Sequence, residues 1–272
     1  MISPIFEKPL LLVEQDSKVL VASDLHLGLE YELWLNGMSI PSQTEHLLRN
    51  LRNHLKDIKP DYLVLLGDVK HNVPRTSWQE KREVPNFLEA LSQDVRIEVV
   101  PGNHDVGLSE MAPPTVKVHP SSGMVLDNIG YFHGHTWPAK KLFESRALIA
   151  GHIHPAVKLK DPLGYTITRP VWIRSNILSD VIEKQYGQKF PDLEIVLVPA
   201  FNYLCGGLAL NASSQEERGP IFAMSNLEQA RVYLLDGTDL GHLKEITSYT
   251  KKHKEQRFYS SLNFSYGRKD TH

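Results

Sequence analysis

The chain has little cysteine, no long apolar run and no excess of either charge, and each lack excludes a class of protein. A single cysteine, Cys205, among 272 residues excludes an internal disulfide and favours a reducing compartment. No apolar run approaches the 18 residues of a transmembrane helix, and the N-terminal residues lack the charged-then-apolar pattern of a signal peptide. We therefore expect a cytoplasmic protein that does not bind a membrane.

The charges nearly cancel. Thirty Lys and Arg residues against 32 Asp and Glu residues give a formal net charge of −2, so nucleic-acid binding would require a local basic surface. Residues 251–272 carry six Lys or Arg against two acids and have little periodicity. We expect a single domain over residues 1–250 and a basic C-terminal tail over 251–272 that is mobile or docks on a partner.

Hydrophobic patterning predicts an α/β fold. Apolar runs at 19–22, 62–66 and 95–100 are typical of buried parallel strands, and helical spacing lies between them. Ser42-x-x-Glu45 predicts a capping box at the start of the first of these helices, and the second is predicted over 77–91. After residue 110 the pattern changes to short strands, at 115–118, 124–126, 129–132, 148–150, 157–159, 165–168, 171–174 and later 232–235. This pattern predicts two facing mixed sheets in one domain.

Polar turns rich in Asp and His follow five of the apolar runs. They are Asp24-x-His26, Gly67-Asp68, Gly102-Asn103-His104-Asp105, His133-Gly134-His135 and Gly151-His152-x-His154. Ligands of open α/β sheets gather outside the carboxyl ends of the strands, so one sheet edge would bring these turns together. Carboxylate, amide and imidazole donors without thiolate suit divalent manganese, iron or zinc. The turns therefore predict a polynuclear metal site.

Each turn alone has an ordinary explanation. A carboxylate at a strand end, such as Asp24 or Asp68, commonly caps a turn. Of the five patterns, Gly-Asn-His-Asp is the rarest by composition. It is the joint occurrence of all five, each after an apolar run, that favours metal ligation over capping.

The order of these turns resembles the calcineurin-like metallophosphoesterase superfamily over residues 19–155. That resemblance implies a four-layer α/β/β/α sandwich with a dinuclear metal centre. Three further segments are similar to archaeal-type phosphoesterases related to the Mre11 and SbcD nuclease subunits, and to bacterial metallophosphoesterases associated with DNA ligase and helicase. They are Gly67-Asp68-Val69-Lys70-His71, residues 151–157, and residues 198–202 with Gly206-Gly207.

The resemblance implies a role for each polar residue of the turns. One metal would be held by Asp24, His26 and His154, a second by Asn103, His133 and His152, and Asp68 would bridge them. His104 would lie over the scissile phosphate and protonate the leaving alkoxide, while Asp105 would orient its imidazole. The nucleophile would be a metal-activated hydroxide.

Some assignments stay open. Only one of His133 and His135 is needed as a ligand; the family pattern favours His133, which leaves His135 to support the ligands or face the substrate. His71 would either reach the substrate phosphate or cap its loop. Lys70 and Arg75 would either contact a phosphate backbone or be solvated loop charges.

Three functions fit these residues. The first is a dinuclear phosphodiesterase, a manganese-dependent nuclease acting on DNA ahead of RNA, with iron or zinc as other metals and a helicase or repair protein as partner. The second is a phosphoesterase for a small substrate, which is a nucleotide phosphodiesterase, a pyrophosphohydrolase or a phosphoprotein phosphatase, because one metal centre serves all of them. The third is a binding module on a retired catalytic fold, which the complete set of motif residues disfavours.

Overall fold

Two mixed β-sheets face each other in the structure, a computed structural model that describes residues 1–161, 163–212 and 219–246. The first sheet has the spatial order β1 (Ile2–Pro4), β2 (Leu11–Glu14), β3 (Lys18–Ala22), β4 (Tyr62–Leu65), β5 (Arg96–Val99) and β6 (Val116–Val118). The second contains β7 (Met124–Leu126), β8 (Ile129–Phe132), β9 (Ala147–Ala150), β10 (Pro155–Lys160), β11 (Thr166–Asn176), β12 (Glu194–Leu197), β13 (Leu208–Ala209), β14 (Arg231–Leu234) and β15 (Asp239–His242). The helices are α1 (Leu29–Leu35), α2 (Thr44–Ile58), α3 (Trp78–Ser92), α4 (Leu108–Met111), α5 (Ser179–Tyr186) and α6 (Pro220–Met224).

Parallel pairing in both sheets brings several strand ends to a common edge. In the first sheet β3, β4, β5 and β6 are parallel neighbours, with α2 and α3 as crossovers between β3, β4 and β5. In the second sheet β8, β9 and β12 are parallel neighbours, β11 lies antiparallel to β12, and β14 pairs with β11. The carboxyl ends of β3, β4, β5, β8 and β9 carry the polar turns.

Alternating side chains divide the apolar residues among three cores. Val19 and Val21 of β3 point into the core between the sheets, whereas Leu20 points to the core under α2 and α3. In the second sheet Ile149 faces the first sheet and Leu148 packs in the core that includes α5 and α6. Because both faces of these strands are buried, they read as continuous apolar runs. The predicted four-layer α/β/β/α sandwich is confirmed.

Two local predictions were wrong. Ser42 does not form a capping box, because α2 begins at Thr44 and the Ser42 hydroxyl instead donates to the Glu83 carboxylate at 2.8 Å. The capping box lies at the start of α3, where Ser77 and Glu80 bond reciprocally. The strands predicted at 165–168 and 171–174 are one long strand, β11.

Other elements were not predicted at all, among them α1, α5 and β12. The basic tail predicted at 251–272 lies outside the described residues. Among the residues that are described, no helix combines the length and apolarity needed to cross a membrane.

Candidate metal centre

The polar turns meet at the edge formed by the carboxyl ends of the strands. Side-chain nitrogen and oxygen atoms form three groups in which all the candidate donor atoms lie within 4.8 Å of one another. The first group is Asp24, His26, Asp68 and His154, the second is Asp68, His133 and His152, and the third is His26, His71 and His104. We call the first two, which contain carboxylates, the donor groups; Asp68 belongs to both, which is the placement that a bridging carboxylate requires.

The backbone at these turns is in an unusual conformation. Asp24, His26, Asp68, His152 and His154 all have positive φ, between 42° and 72°. Residues other than glycine seldom adopt this left-handed region, and such strain concentrates at functional sites where the surrounding structure imposes it. The fold therefore holds these five side chains in positions that an unconstrained turn would not favour.

Glycines allow the turns to approach one another closely. A Cβ atom on Gly102 would lie 2.1 Å from Asp68 Oδ1, and one on Gly151 would lie 1.8 Å from Ser23 Oγ. Ser23 in turn donates to Asp24 Oδ2 at 2.6 Å. Any side chain at Gly102 or Gly151 would thus displace an aspartate of the centre.

In the first group, the candidate ligand atoms face one another at short range. His154 Nε2 lies 3.2 Å from Asp24 Oδ1, and His26 Nε2 lies 3.3 Å from His154 Nε2 and 3.6 Å from Asp68 Oδ2. Burial lowers the pKa of His26 to about 3 despite the nearby carboxylates, so this imidazole is neutral and has a free lone pair. Burial opposes ionisation of Asp24, but His154 and His133 hold the pKa of that carboxyl below its usual value.

In the second group, His133 is fully buried and oriented by the backbone. Its Nδ1–H donates to the Leu66 carbonyl at 2.7 Å, which turns Nε2 toward Asp68 Oδ2 at 3.3 Å. Burial favours the neutral ring, but the Asp68 carboxylate overrides this and raises the pKa of His133 to about 9. Burial and the neighbouring His133 lower the pKa of His152 to about 4.

The donors fit divalent cations. Asp24 Oδ1 and His133 Nε2 are buried, and although His154 and Asp68 lie 3.2 and 3.3 Å away, neither atom has a hydrogen bond of suitable geometry among the described residues, whereas buried polar atoms normally do. Cations between these atoms would satisfy both. Oxygen and imidazole donors without thiolate suit manganese, iron or zinc.

The remaining predicted donors differ in their surroundings. His133 lies against Asp68, whereas the His135 ring centre lies 5.3 Å from that of His133, so the placement favours His133 as the ligand. His135 is half-buried, and its Nδ1 has no partner within the described part of the chain. Asn103 is exposed on the turn before His104, and its ligand role stays a prediction.

His104 lies outside the two donor groups but belongs to the third group, with His26 and His71. Its backbone N–H donates to Asp68 Oδ1 at 2.9 Å, and its Nδ1 contacts the carbonyl oxygen of His71. The expectation that Asp105 orients the His104 imidazole is wrong. The Asp105 carboxylate instead accepts the backbone N–H groups of Gly102, at 2.9 Å, and Lys70, at 3.1 Å, and so joins the turns after β4 and β5.

Lys70 also departs from its predicted surroundings. It is neither a solvated charge nor placed to contact a phosphate backbone, because its side chain is fully buried and Nζ donates to the Asn72 carbonyl at 2.6 Å. Arg75 is exposed. The His71 ring does not cap its loop: its Nε2 lies 2.6 Å from Glu32 Oε2 and its Nδ1 lies 3.0 Å from His26 Nδ1. Contact of His71 with a substrate phosphate stays a prediction.

Three supporting residues escaped the sequence-based predictions. Glu80 is fully buried and accepts the backbone N–H groups of His71, Asn72 and Ser77; the Ser-x-x-Glu spacing at Ser77 was a usable signal for it. Asn202, buried in a segment noted only for its resemblance, donates to the Leu25 carbonyl at 2.9 Å. No local sequence pattern indicated that Glu32 supports the centre.

The chain is similar over a short stretch to two proteins that are named as phosphatases. Over 51 residues, 18% of the chain, it is 41% identical to the mouse protein "Serine/threonine-protein phosphatase CPPED1" and 39% identical to the rat protein of that name. The matched stretch spans only 16% of either relative.

Among solved structures, the nuclease MPE of Pseudomonas putida has a TM-score of 0.48 at 18% identity, covering 88% of this chain and 98% of that one. The phosphoesterase YfcE of E. coli has a TM-score of 0.38 at 17% identity, covering 82% and 96%. The family model for calcineurin-like phosphoesterases matches residues 17–204, more than half of the chain. The chain therefore belongs to the calcineurin-like phosphoesterase family and is a metal-dependent phosphoesterase.

Proposed function

We propose that this phosphoesterase is a dinuclear phosphodiesterase that cleaves nucleic acid, DNA ahead of RNA, with manganese as its metal. The observation that carries the proposal is that two of the candidate donors, His152 and His154, line an open surface groove, which would leave the centre accessible to a long substrate. This groove is lined by His152, His154, Cys205, Gly207, Leu208 and Phe222. A helicase or repair protein as partner stays a prediction.

Exposed aromatic rings near the centre support a nucleic-acid substrate. Tyr31 and Trp34 of α1 are 41% and 59% exposed, and their rings stack with centres 6.0 Å apart. Tyr31 directly precedes Glu32, whose carboxylate bonds to His71 at the centre. Unpaired bases stack on such rings with little regard to sequence, each contributing about 1–3 kcal/mol.

The side chains divide the work of phosphodiester hydrolysis. Asp24, His26, Asp68 and His154 would hold one cation, and Asp68, His133 and His152, with Asn103, the other. When bound, such a pair of ions supplies an activated water and neutralises charge on the phosphate. His104, held by Asp68 and the His71 carbonyl, would use Nε2 to bind the phosphate and protonate the leaving oxygen.

Substitution of His104 tests this assignment. We expect His104→Ala to reduce manganese-dependent cleavage of single-stranded DNA about 10²- to 10⁴-fold, the usual range for loss of a general acid, while metal stoichiometry stays unchanged. The matched control is His46→Ala, which removes an exposed imidazole from α2. Cleavage at the wild-type rate by the His104 variant would exclude the proposed role.

A small-substrate phosphoesterase is the second candidate. The groove lining contains no Lys or Arg, and the 51-residue similarity is to proteins named as phosphatases. A panel of single- and double-stranded DNA, RNA, bis-p-nitrophenyl phosphate and p-nitrophenyl phosphate separates the candidates. Polymer cleavage that weakens steeply with salt supports the nuclease, because phosphate contacts release counterions. Exclusive hydrolysis of the monoester supports the phosphatase.

A further inference from the structure

Glu32 lies at the outer end of a chain of hydrogen bonds that ends at the metal centre. Its Oε2 is 2.6 Å from His71 Nε2, and His71 Nδ1 is 3.0 Å from His26 Nδ1. The other nitrogen of His26, Nε2, faces Asp68 and His154. Three side chains from two separate turns and α1 thus form one continuous path.

The carboxylate determines where the protons lie along this path. Glu32 is 56% exposed and accepts only, so the facing nitrogen of His71 must carry a hydrogen. A neutral His71 then has its lone pair on Nδ1, which requires His26 to carry its hydrogen on Nδ1. The lone pair of His26 is consequently on Nε2, the atom that faces the other donors.

We propose that Glu32 is a positioning residue that fixes, through His71, the tautomer in which His26 binds metal. Metal-bound histidines generally donate their second ring N–H to a partner that orients the ring and raises its basicity. Here the partner is a second histidine held by a carboxylate. The proposal rests on the proposed ligation of metal by His26 and not on the identity of the substrate.

The local structure suits this role. Gly28, at the start of α1, approaches the Glu80 side chain so closely that a Cβ there would lie 2.6 Å from Glu80 Cγ. Glu80 accepts the backbone N–H of His71 at 2.9 Å. The backbone of His71 is therefore held by the buried Glu80 carboxylate, and the start of α1 packs closely against the same side chain.

Metal affinity and the tautomer of His71 are the measurements that test it. We expect Glu32→Ala to weaken Mn²⁺ binding about tenfold, at the lower end of the range for such partners because Glu32 is half-exposed. Glu32→Gln, whose amide oxygen still accepts a hydrogen bond, should lose less. Titration calorimetry gives the affinity, and two-dimensional ¹H–¹⁵N spectra of the metal-free protein report the hydrogen positions on His71 and His26.

The matched control is Glu45→Ala, because Glu45 is exposed in the first turn of α2 and makes no hydrogen bond or ion pair with a described residue. Thermal melting verifies that each variant is folded. The proposal is supported if His71 carries its hydrogen on Nε2 in the wild type and populates both tautomers in Glu32→Ala. A doubly protonated His71 in the wild type, or unchanged affinity and spectra in both Glu32 variants, would overturn it. None of these measurements involves a substrate, so they are independent of the nuclease assay.

Discussion

At the scale of single residues, the imidazoles of the centre differ in charge although they lie within a few ångströms of one another. His133 is fully buried beside Asp68, which raises its pKa to about 9. His26 is also buried, but its burial outweighs the carboxylates and lowers its pKa to about 3. At pH 7, His133 thus carries a proton in the place where a metal ion would bind, and His26 does not.

Metal binding should therefore release protons. We expect Mn²⁺ binding at pH 7 to release at least one proton, because a metal ligand must be deprotonated and His133 is not. Release should fall toward zero, and the apparent affinity should level off, as the pH rises through about 9. Calorimetry in buffers of different ionisation enthalpy measures the number. Equal release by a His133→Ala variant would contradict the assignment.

The residue types of the centre could be predicted from sequence, whereas the supporting contacts could not. Asp24, Asp68 and His133 stand at the ends of apolar runs, and that position alone indicated a shared edge. The contacts of Asp105 and Glu32 join turns that are distant in the chain, so the spacing of residues in the sequence did not indicate them.

At the scale of elements, the turns rather than the strands set the geometry of the centre. The turn after β9 packs against the turn after β3, and the absence of a side chain at Gly151 makes room for Ser23 and Asp24. Close packing of this kind leaves no space for even one methyl group.

A methyl group at Gly151 should therefore disrupt metal binding. We expect Gly151→Ala to displace Ser23 and Asp24, to weaken Mn²⁺ binding, and to lower the free energy of unfolding by about 1–3 kcal/mol, as overpacking does. Urea denaturation and metal titration measure the two effects. Gly187→Ala is the control: that glycine has positive φ but open space around it, so only backbone strain is added. Wild-type affinity in Gly151→Ala would show that the turns can move apart.

Element prediction did not follow burial alone. The fully buried strand β8 and the partly exposed β7 were predicted at their observed bounds, whereas β12, with three of its four residues buried, was missed. Helix α1 has only seven residues and exposes Tyr31, Trp34 and Leu35, so no apolar face marked it. The Ser42 hydroxyl donates to Glu83 on α3, and local sequence spacing does not reveal such a tertiary contact.

At the scale of the whole molecule, the candidate donors come from both sheets. Asp24, His26 and Asp68 follow strands of the first sheet, and His133, His152 and His154 follow strands of the second. Each donor group contains members from both sides. Bound ions would therefore link the two sheets at one edge, in addition to the apolar core between them.

Removal of metal should consequently destabilise the whole fold. At a free Mn²⁺ concentration one hundred times the dissociation constant, we expect the free energy of unfolding to rise by about 2.7 kcal/mol, since only the folded chain binds. Thermal melting with added Mn²⁺ and with chelator measures the shift. An Asp68→Ala variant should lose most of it, because Asp68 belongs to both donor groups. A melting temperature that changes with neither added Mn²⁺ nor chelator would exclude this coupling.

The hydrogen bonds from Asn202 and Phe201 to the turn after β3 have a consequence for biosynthesis. All the predicted donors are translated by residue 154, yet Asn202 holds the Leu25 carbonyl between Asp24 and His26, and the Phe201 N–H bonds to Ser23. Strand β12, just before them, also inserts between β9 and β11. A ribosome adding about 5–20 residues per second would leave the turn after β3 without these hydrogen bonds for several seconds. Metal loading should therefore follow, and not guide, the folding of the second sheet.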